Sequence, residues 1–263
     1  GNYIHYGVRE HGMAAAMNGL SLYNGLIPFG GTFLIFSDYC KPSIRLSALM
    51  GLRVIYIFSH DSIGLGEDGP THQPVEQLSG LRAIPNLNVF RPADMNETLE
   101  CWEIALKSKN TPSVIALSRQ KLPYINQSLS KKNNSALGAY IVNLTSHDCK
   151  VVLLASGSEV ELAIEAQKSL KENNIDSKVV SVPCQELFDL QTEEYKKEIL
   201  EEDTLTISIE AGGINCWHKY IKNKGASLGI NSFGKSAPYK EIYNEFELTS
   251  EKIVSLVQKM LRN

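Results

Sequence analysis

Residues 53–74 of the chain read RVIYIFSHDSIGLGEDGPTHQP, a short apolar run followed by a polar loop. The run at 53–59 is rich in β-branched and aromatic residues, as is typical of a strand that is buried on both faces of a sheet. The loop at 60–74 is dense in histidine, acidic residues and glycine. Because ligands in open α/β sheets bind at the carboxyl ends of the strands, this stretch predicts an α/β domain with a binding loop.

Similar apolar runs alternate with amphipathic segments on both sides of this stretch, which is the pattern of a sheet covered by helices on both faces. Before residue 121 we predict extended runs at 32–36 and 113–118, helices at 10–22 and 42–50, and a helix capped by Asp94 and Glu97. After residue 138 we predict strands at 151–155, 178–182 and 205–209, a helix with a capping box of Ser158 and Glu161, and a last helix at 249–261. Helical spacing directs two stripes toward the core: Met95, Leu99, Trp102 and Leu106, and later Ile253, Val257, Met260 and Leu261.

The chain length and one polar segment predict the domain organisation. The 263 residues correspond to about two domains at roughly 150 residues each. Residues 121–138 (KLPYINQSLSKKNNSALG) contain Pro123 and lack periodicity, which is typical of a linker. We therefore predict a first domain at 1–122, a linker at 123–138 and a second domain at 139–263. Each is expected to be a doubly wound α/β domain, with a parallel sheet in the first and a mostly parallel sheet in the second.

Composition and charge exclude several classes of protein. With 43% hydrophobic and 21% charged residues, the chain is neither disordered nor a membrane bundle, and no apolar run is long enough for a membrane span. The net charge of −3 favours neither nucleic acid nor an anionic membrane as a partner. Five widely spaced cysteines without a C-x-x-C argue against a disulfide framework or a zinc site, and favour a reducing compartment. Because the chain begins Gly1-Asn2-Tyr3 without a methionine, we expect it not to start where its gene product starts.

Residues 64–69 (GLGEDG) match the G-x-G-x-x-G pattern of dinucleotide-binding loops. In such loops, bare backbone N–H groups and a helix N-terminus receive a pyrophosphate. Here Glu67 and Asp68 would repel that anion, while Pro70 and Pro74 interrupt any helix that would follow. An NAD-dependent oxidoreductase is therefore disfavoured. By composition alone, the segment is equally a ligand-binding loop or a solvated acidic surface loop.

The loop HDSIGLGEDGPTHQP at 60–74 resembles the signature loop of transketolases. Further segments resemble the same family in the same order: YGVREHGM at 6–13, GGTFLIFSDY at 30–39, LSRQ at 117–120, ASGSEVELA at 155–163 and FGKSAP at 233–238. The resemblance spans the whole chain but only the back part of the family's protein. It implies a pyrimidine-binding domain without its first segment, followed by a transketolase C-terminal domain.

The resemblance implies a transferase that moves a two-carbon ketol unit from a ketose phosphate to an aldose phosphate in the pentose phosphate pathway. It implies thiamine diphosphate with Mg²⁺ or Ca²⁺ as cofactors, and a cytoplasmic homodimer whose active site lies at the subunit interface. The family's diphosphate- and metal-binding motif, a GDG followed by an Asn, has no counterpart here. We therefore expect this chain to contain no metal ligand and to be inactive on its own. The residues that bind the metal and the diphosphate are expected on a missing N-terminal domain or on a separate N-terminal subunit.

The resemblance assigns the cofactor's pyrimidine to four residues. Glu10 corresponds to the family's catalytic glutamate, and burial beside the ring is expected to raise its pKa. Without the resemblance, the simpler interpretation is that Glu10 only stabilises the first turn of its helix, where a negative charge is favourable. Phe33, Phe36 and Tyr39 recur every three residues and would share one face of a helix, which by itself indicates a core stripe. The resemblance implies instead that these rings surround the pyrimidine, with Phe36 as the direct stacker.

Substrate handling is assigned to four positions in the same way. His60 and Arg119 correspond to residues that grip the sugar's terminal phosphate, for which the planar fork of arginine is suited. Asp68 corresponds to the carboxylate that binds a sugar hydroxyl. His72 corresponds to a catalytic histidine near the reacting carbonyl, where it would stabilise an oxyanion or relay a proton. The ordinary alternatives are a capping histidine, a surface cation and a turn-forming aspartate. No role is assigned to His5, His11, His147 or His218.

Other functions remain open from the sequence. One enzyme alternative is a dihydroxyacetone synthase, which shares these sequence motifs and uses formaldehyde as the acceptor. Another is a thiamine-diphosphate enzyme that resembles deoxyxylulose-phosphate synthase. A non-catalytic alternative is a stand-alone subunit that dimerises without binding the cofactor. The second domain shows no chemistry in its sequence, so stabilisation of the dimer is its expected role.

Overall fold

The computed structural model describes residues 3–125, 132–146, 148–201, 203–221 and 224–262. The first part of the chain forms a parallel sheet in the order β1-β2-β4-β3. Its strands are β1 (Phe29–Phe33), β2 (Ile55–Ser59), β3 (Asn88–Phe90) and β4 (Ser113–Leu117). Its helices are α1 (Glu10–Leu22), α2 (Ser37–Leu49), α3 (Gln77–Arg82) and α4 (Met95–Lys107). Alternate residues of β2 and β4 enter different core clusters, because both faces of this sheet are covered.

The second part forms a separate sheet in the order β5-β7-β6-β8-β9, in which β5 runs antiparallel to β7 and the other pairs are parallel. Its strands are β5 (Tyr140–Leu144), β6 (Val151–Ala155), β7 (Ser177–Ser181), β8 (Leu205–Ile209) and β9 (Gly225–Leu228). Its helices are α5 (Glu159–Glu172), α6 (Gln185–Asp189), α7 (Glu193–Leu200), α8 (Tyr239–Glu245) and α9 (Ser250–Arg262). The predicted α/β class, with one parallel and one mostly parallel sheet, is confirmed.

The two domains bury residues in each other. Ile63, from the loop after β2, is fully buried in a core cluster made almost entirely of second-domain residues. In the opposite direction, Cys184 packs with Phe90 and Ile115 of the first domain. Phe90, the last residue of β3, also forms an isolated antiparallel bridge to Cys184. The carboxyl end of the first sheet is therefore in contact with the second domain.

The predicted inward stripe of α4 is wrong at three of its four residues, and the fourth, Trp102, is partly buried against the core. Met95, Leu99 and Leu106 are 61%, 62% and 44% exposed, whereas Cys101 and Ala105 on another face of the helix are fully or almost fully buried. Small side chains at these two positions permit a close approach to the sheet, which the large side chains of the stripe do not. Helical spacing identifies an apolar face, but it does not identify which face the neighbouring elements cover.

The aromatic residues at three-residue spacing do not share one helix, contrary to the helical interpretation. Phe33 ends β1, Phe36 lies in a 3₁₀ turn (Leu34–Phe36), and Tyr39 lies in the first turn of α2. The predicted run at 32–36 is therefore divided between a strand and this turn. The helix predicted at 42–50 begins earlier, at Ser37, and contains Pro42.

Two predicted helix caps have different outcomes. Asp94 caps α4 as predicted, with its side chain accepting a hydrogen bond from the backbone N–H of Glu97. The predicted capping box of Ser158 and Glu161 is wrong, because Ser158 makes no side-chain cap to α5. Its hydroxyl instead donates to the carboxylate of Glu159 at 2.6 Å, within a buried polar network.

At the end of the chain, Ile253 and Val257 of α9 are buried as predicted, whereas Leu261 is 40% exposed. Leu261 lies one residue from the end of the helix, beyond the neighbours that cover Ile253 and Val257. Met260 is partly buried against the same core cluster. The inward stripe is therefore confirmed except at Leu261.

Part of the predicted linker, residues 126–131, lies outside the described residues, and so does His147. All five cysteines are described, and each is a free thiol. Within the described ranges, no helix is both long and apolar enough to cross a membrane.

Candidate active site

The carboxyl ends of three neighbouring strands bring the predicted phosphate-binding residues together. In the register of the parallel sheet, Phe33 of β1 lies opposite Ser59 of β2, and Ser59 lies opposite Leu117 of β4. His60 follows Ser59 directly, and Arg119 follows Leu117 by two residues. The sheet therefore places both residues at the edge where ligands bind in α/β domains.

The aromatic and histidine rings form one continuous series of contacts at this edge. His60 stacks on Phe33 with ring centroids 3.6 Å apart. Phe33 stacks on Phe36 at 5.8 Å, and Phe36 on Tyr39 at 5.9 Å. His72 meets the ring of Phe36 edge-on at 5.6 Å. Five residues predicted to act on cofactor or substrate thus lie on one surface, and Tyr39 is 65% exposed on it.

His60 is held in an unusual conformation. Its backbone has φ +61°, in the left-handed region that L-residues seldom adopt. Its Nδ1 lies 2.8 Å from the hydroxyl oxygen of Ser59. Partial burial and the charge of Arg119 lower the pKa of His60, while Asp68 and Asp61 act in the opposite direction. A pKa below 6.5 leaves the imidazole mostly neutral at pH 7, so His60 offers a ring N–H rather than a full charge.

The glycines of the loop serve close packing rather than anion binding. A Cβ on Gly64 would lie 2.5 Å from Nε2 of Gln120, so the residue after Arg119 packs directly on this glycine. Gly66 and Gly69 have φ +89° and +80°. The loop forms a short 3₁₀ turn (Ile63–Leu65), and the next helix, α3, begins only at Gln77. This geometry agrees with the rejection of the dinucleotide interpretation.

The other two loop residues differ in their surroundings. His72 is half-buried, and its Nδ1 lies 2.9 Å from the hydroxyl oxygen of Thr71. This contact leaves Nε2 as the ring nitrogen available to a ligand. Asp68 is exposed, and its charge acts on His60. Asp68 therefore lies in the neighbourhood of His60, although no direct contact joins the two.

Glu10 lies beside the aromatic segment. It is the first residue of α1, is half-buried, and packs in the region where α1 contacts α2. Burial, followed by the negative charge of Glu10, raises the pKa of the Cys40 thiol to about 12. Cys40 is the neighbour of Tyr39 in α2. The charge of Glu10 therefore reaches Cys40, which directly follows the aromatic segment in sequence.

Sequence interpretation missed the buried residues that support this loop. Gln77 accepts a hydrogen bond from the backbone N–H of Val75 at 3.0 Å and donates to Asp38 at 2.8 Å, which ties the end of the loop to the aromatic segment. Arg91 donates from Nε to Asp61, the neighbour of His60, at 2.8 Å. Arg91 directly follows β3, just as His60 directly follows β2. A polar residue directly after a buried strand is the feature of the sequence from which Arg91 could have been identified.

The described residues do not form a cluster of side chains that could bind a metal ion. Within residues 3–125, 132–146, 148–201, 203–221 and 224–262, no group of three or more His, Cys, Asp or Glu side chains is arranged to hold a metal ion. The site combines instead an aromatic surface, a nearby carboxyl, neutral imidazole and an exposed guanidinium. These groups suit an organic ring and a phosphorylated ligand.

Comparison with known proteins identifies the family. One family model, the transketolase pyrimidine binding domain, matches residues 1–124, and a second, the transketolase-like C-terminal domain, matches residues 138–249. A transketolase of Sinorhizobium medicae is 54% identical over 263 residues, which are 100% of this chain and 38% of that protein. The structure of a transketolase from Leishmania mexicana has a TM-score of 0.94 at 46% identity, over 100% of this chain and 38% of that chain.

A chain of a split-gene transketolase, described as an inactive β4 tetramer, has a TM-score of 0.81 at 24% identity and shares the fold. This match covers 97% of the present chain and 83% of that chain. By contrast, the present chain spans only 38% of the length of the Sinorhizobium medicae relative. Together, the family models, the sequence identity and the fold show that this chain belongs to the transketolase family, of which it carries the pyrimidine-binding and C-terminal domains.

Proposed function

We propose that this chain supplies the pyrimidine-binding side of a transketolase active site, which transfers a two-carbon ketol unit from a ketose phosphate to an aldose phosphate. The observation that carries the proposal is the continuous ring surface of Phe33, Phe36, Tyr39, His60 and His72 at the carboxyl edge of the first sheet. Membership in the transketolase family supplies the reaction class.

The residues fit one half of thiamine diphosphate. The partly exposed rings of Phe33 and Phe36 and the exposed ring of Tyr39 suit the face of its pyrimidine, and the half-buried carboxyl of Glu10 suits a ring nitrogen. We place the ligands of the diphosphate and of its Mg²⁺ or Ca²⁺ ion outside this sequence, because the family's GDG motif followed by an Asn has no counterpart in it. When bound, thiamine diphosphate supplies the carbanion and the electron sink of the transfer.

Each predicted residue has a defined task in this proposal. Glu10 directs its carboxyl toward a pyrimidine nitrogen as a hydrogen-bonding partner, and Phe36 gives the main stacking face. His72, whose Nδ1 contacts Thr71, uses Nε2 to donate to the developing oxyanion of the substrate or to relay a proton.

The substrate's far end is assigned to the other side of the same edge. The guanidinium of Arg119 and the neutral ring N–H of His60 hold the terminal phosphate, since a planar fork donates to two phosphate oxygens at once. Asp68 accepts a hydrogen bond from a sugar hydroxyl. Asp68 is exposed on the loop, which leaves its carboxylate free to reach a ligand.

We further propose a cytoplasmic homodimer of the pentose phosphate pathway, with the active site at the subunit interface. The diphosphate-binding part belongs to an N-terminal domain or to a separate N-terminal subunit. Free cysteines throughout the chain support a reducing compartment. The domain boundaries that we propose remain 1–122 and 139–263, joined by a linker at 123–138.

Substitution of the glutamate tests the cofactor role. In the assembled enzyme, Glu10→Ala is expected to remove nearly all ketol transfer, because the pyrimidine loses the carboxyl that sets its protonation. A coupled assay of ketol transfer measures the effect. Glu172→Ala, at an exposed glutamate of α5, is the control and is expected to keep full activity. Unchanged turnover in Glu10→Ala would exclude the assigned role.

Substrate phosphorylation tests the other end of the site. His60→Ala and Arg119→Ala are each expected to raise KM for a phosphorylated sugar, since each removes a donor to the phosphate. Steady-state kinetics with a sugar phosphate and with its unphosphorylated counterpart measure the difference. Equal KM values in variants and wild type would favour an unphosphorylated acceptor, as in a dihydroxyacetone synthase.

Titration of the isolated chain tests the proposed division of the site. Calorimetry with thiamine diphosphate and Mg²⁺ is expected to show no tight binding, because the diphosphate ligands lie elsewhere. Sub-micromolar affinity for the chain alone would contradict this proposal.

A further inference from the structure

A buried ion-pair network crosses from the first domain to the second, starting at the residue after His60. Asp61 is 2% exposed and accepts a hydrogen bond from Nε of Arg91 at 2.8 Å. Arg91 is fully buried and forms an ion pair with Glu159, at the start of α5 in the second domain. One guanidinium therefore joins the loop of the candidate active site to a carboxylate of the other domain.

The second domain fixes Arg91 through backbone groups as well. Nη1 of Arg91 donates to the carbonyl oxygen of Ser156 at 2.8 Å. The backbone N–H of Arg91 donates to the carbonyl of Pro183 at 2.8 Å, and its own carbonyl accepts from Gly157 at 3.0 Å. Gly157 has φ +55°, and a Cβ there would lie 2.8 Å from Cζ of Arg91. The turn between β6 and α5 is thus shaped around this side chain.

A second pair in the network belongs to the same interface. Arg82 of α3 donates to both carboxylate oxygens of Glu210, at 2.8 and 2.9 Å. Burial alone would raise the pKa of Glu210, but the charges of Arg82 and Arg91 lower it to about 2. Glu210 is therefore ionised at neutral pH. Arg82 lies on α3, beyond the loop, and does not contact Asp61 in the described structure.

The second domain holds the loop at two more points. Nε2 of Gln73 donates to Gly66 within the loop at 2.8 Å and to the carbonyl of Lys235 in the second domain at 2.9 Å. The hydroxyl of Ser236 donates to the carbonyl of Glu67 at 2.5 Å. Together with the burial of Ile63 in the second core, these contacts make the loop part of the interface.

His60 needs such support because its backbone is strained. A non-glycine residue in the left-handed region is strained and persists only where the surroundings determine it. His60 has φ +61° and is stacked on Phe33, while its neighbour Asp61 carries the anchored carboxylate. A displacement of Asp61 would therefore be transmitted directly to the ring of His60.

We infer that Arg91 is a positioning residue, which anchors Asp61 to the second domain and thereby holds His60 in place for the phosphate of the substrate. The inference rests on the proposed phosphate-binding role of His60. It gives the second domain a part in substrate recognition that its own sequence does not show.

The test uses Arg91→Lys in the active holoenzyme that contains this chain. Lysine keeps the positive charge, but a single ammonium cannot reproduce the fork that joins Asp61 to Ser156. The variant is expected to raise KM for an aldose phosphate about tenfold, with kcat within about threefold of wild type and an unchanged KM for the unphosphorylated aldose. Arg82→Lys is the matched control, and it is expected to lower the melting temperature without changing either KM.

Two variants of the partner carboxylate keep the inference testable if Arg91→Lys does not fold. Asp61→Ala leaves Arg91 paired with Glu159, so the fold should persist while KM for the aldose phosphate rises as in Arg91→Lys. Asp61→Asn retains an oxygen that accepts a hydrogen bond from Nε of Arg91, so its KM for the aldose phosphate is expected to stay near the wild-type value. If all three variants change only the melting temperature, Arg91 has a purely structural role and the inference is wrong.

A second measurement does not depend on activity. Histidine NMR on the chain itself follows the pKa of His60, whose described charged neighbours are Arg119, Asp68 and Asp61. In Arg91→Lys we expect this pKa to return toward 6.5, because the ring leaves its partly buried position, and in Arg82→Lys we expect no change. An unshifted pKa in Arg91→Lys would overturn the inference. Absence of ketol transfer in the wild-type holoenzyme would overturn the proposed function, and the NMR comparison would still decide the role of Arg91.

Discussion

Gly138 lies two residues before β5 and illustrates how one residue limits the packing of the second domain. It adopts φ +77°, which glycine tolerates without the steric cost of a side chain. A Cβ at this position would lie 2.1 Å from the backbone nitrogen of Phe188 and 2.5 Å from the carbonyl oxygen of Cys184. Both atoms belong to the backbone at α6, which cannot rotate away as a side chain does. The close approach therefore depends on the absence of a side chain.

Gly138→Ala is expected to lower the free energy of unfolding by about 3 kcal/mol or more, through the combined clash and backbone strain. Urea denaturation of the chain measures the change. Gly19→Ala is the matched control, because Gly19 lies inside α1 with no atom near the new Cβ. Alanine there is expected to stabilise by about 0.5–1 kcal/mol. Equal effects of the two substitutions would contradict the packing argument.

At the scale of secondary-structure elements, α4 combines a predictable end with an unpredictable orientation. Its N-terminus follows from Asp94, since aspartate at the N-cap satisfies an otherwise free backbone N–H. Its buried face follows from the contacts of Cys101 and Ala105, which no periodicity indicated. The carboxylate of Asp94 also accepts from the backbone N–H of Ile125 at 3.1 Å, so the same cap anchors the segment after β4.

Asp94→Ala is expected to destabilise the chain by about 1–2 kcal/mol. The substitution removes both hydrogen bonds that the Asp94 carboxylate accepts, from the backbone N–H of Glu97 and from that of Ile125. Asp94→Asn keeps an oxygen for the helix cap and is expected to lose clearly less. Chemical denaturation of both variants compares them. If the alanine and asparagine variants were equally destabilised, hydrogen bonding of the cap would not be the cause.

At the scale of the whole molecule, a second buried carboxyl joins the two domains. Glu97 of α4 accepts hydrogen bonds from Tyr140 at 2.7 Å and from Ser181 at 2.6 Å, both in the second domain. It also accepts from the backbone N–H of Ala93 at 2.6 Å. Burial is the dominant effect and raises the pKa of Glu97 from 4.5 to about 7, although these hydrogen bonds oppose the shift.

The stability of the chain is therefore expected to depend on pH through Glu97. Between pH 4.5 and 7 the folded chain binds a proton that the unfolded chain has released, so stability from this group is complete below 4.5 and is lost as the pH rises through 7. At about 1.4 kcal/mol per pH unit, the loss amounts to roughly 3 kcal/mol. Urea unfolding at several pH values measures it.

Glu97→Gln is expected to remove this part of the pH dependence. Glu103→Gln on the same helix is the control, because Glu103 is largely exposed and its pKa is lowered rather than raised. Parallel pH profiles for the wild type and Glu97→Gln would show that Glu97 does not titrate in this range.

Much of the fold was predictable from local pattern. The strands 151–155 and 205–209 and the helix 10–22 agree with β6, β8 and α1, since each is bounded by clear changes in hydrophobic spacing. Orientation was not predictable in the same way. The outward face of α4 and the hydroxyl of Ser158 depend on which neighbouring element covers them, and that information is not local.

The α/β class, the family resemblance and the types of residue at the candidate site can all be read from the amino-acid sequence, because they follow from side-chain chemistry and from residue order along the chain. How those residues meet depends on folding in three dimensions. The register of β1, β2 and β4 brings Phe33, His60 and Arg119 to one edge, although they are far apart in sequence. The contacts of Arg91 with Asp61 and Glu159 likewise exist only after both domains fold, because a buried charge is stable only where partners from distant segments surround it.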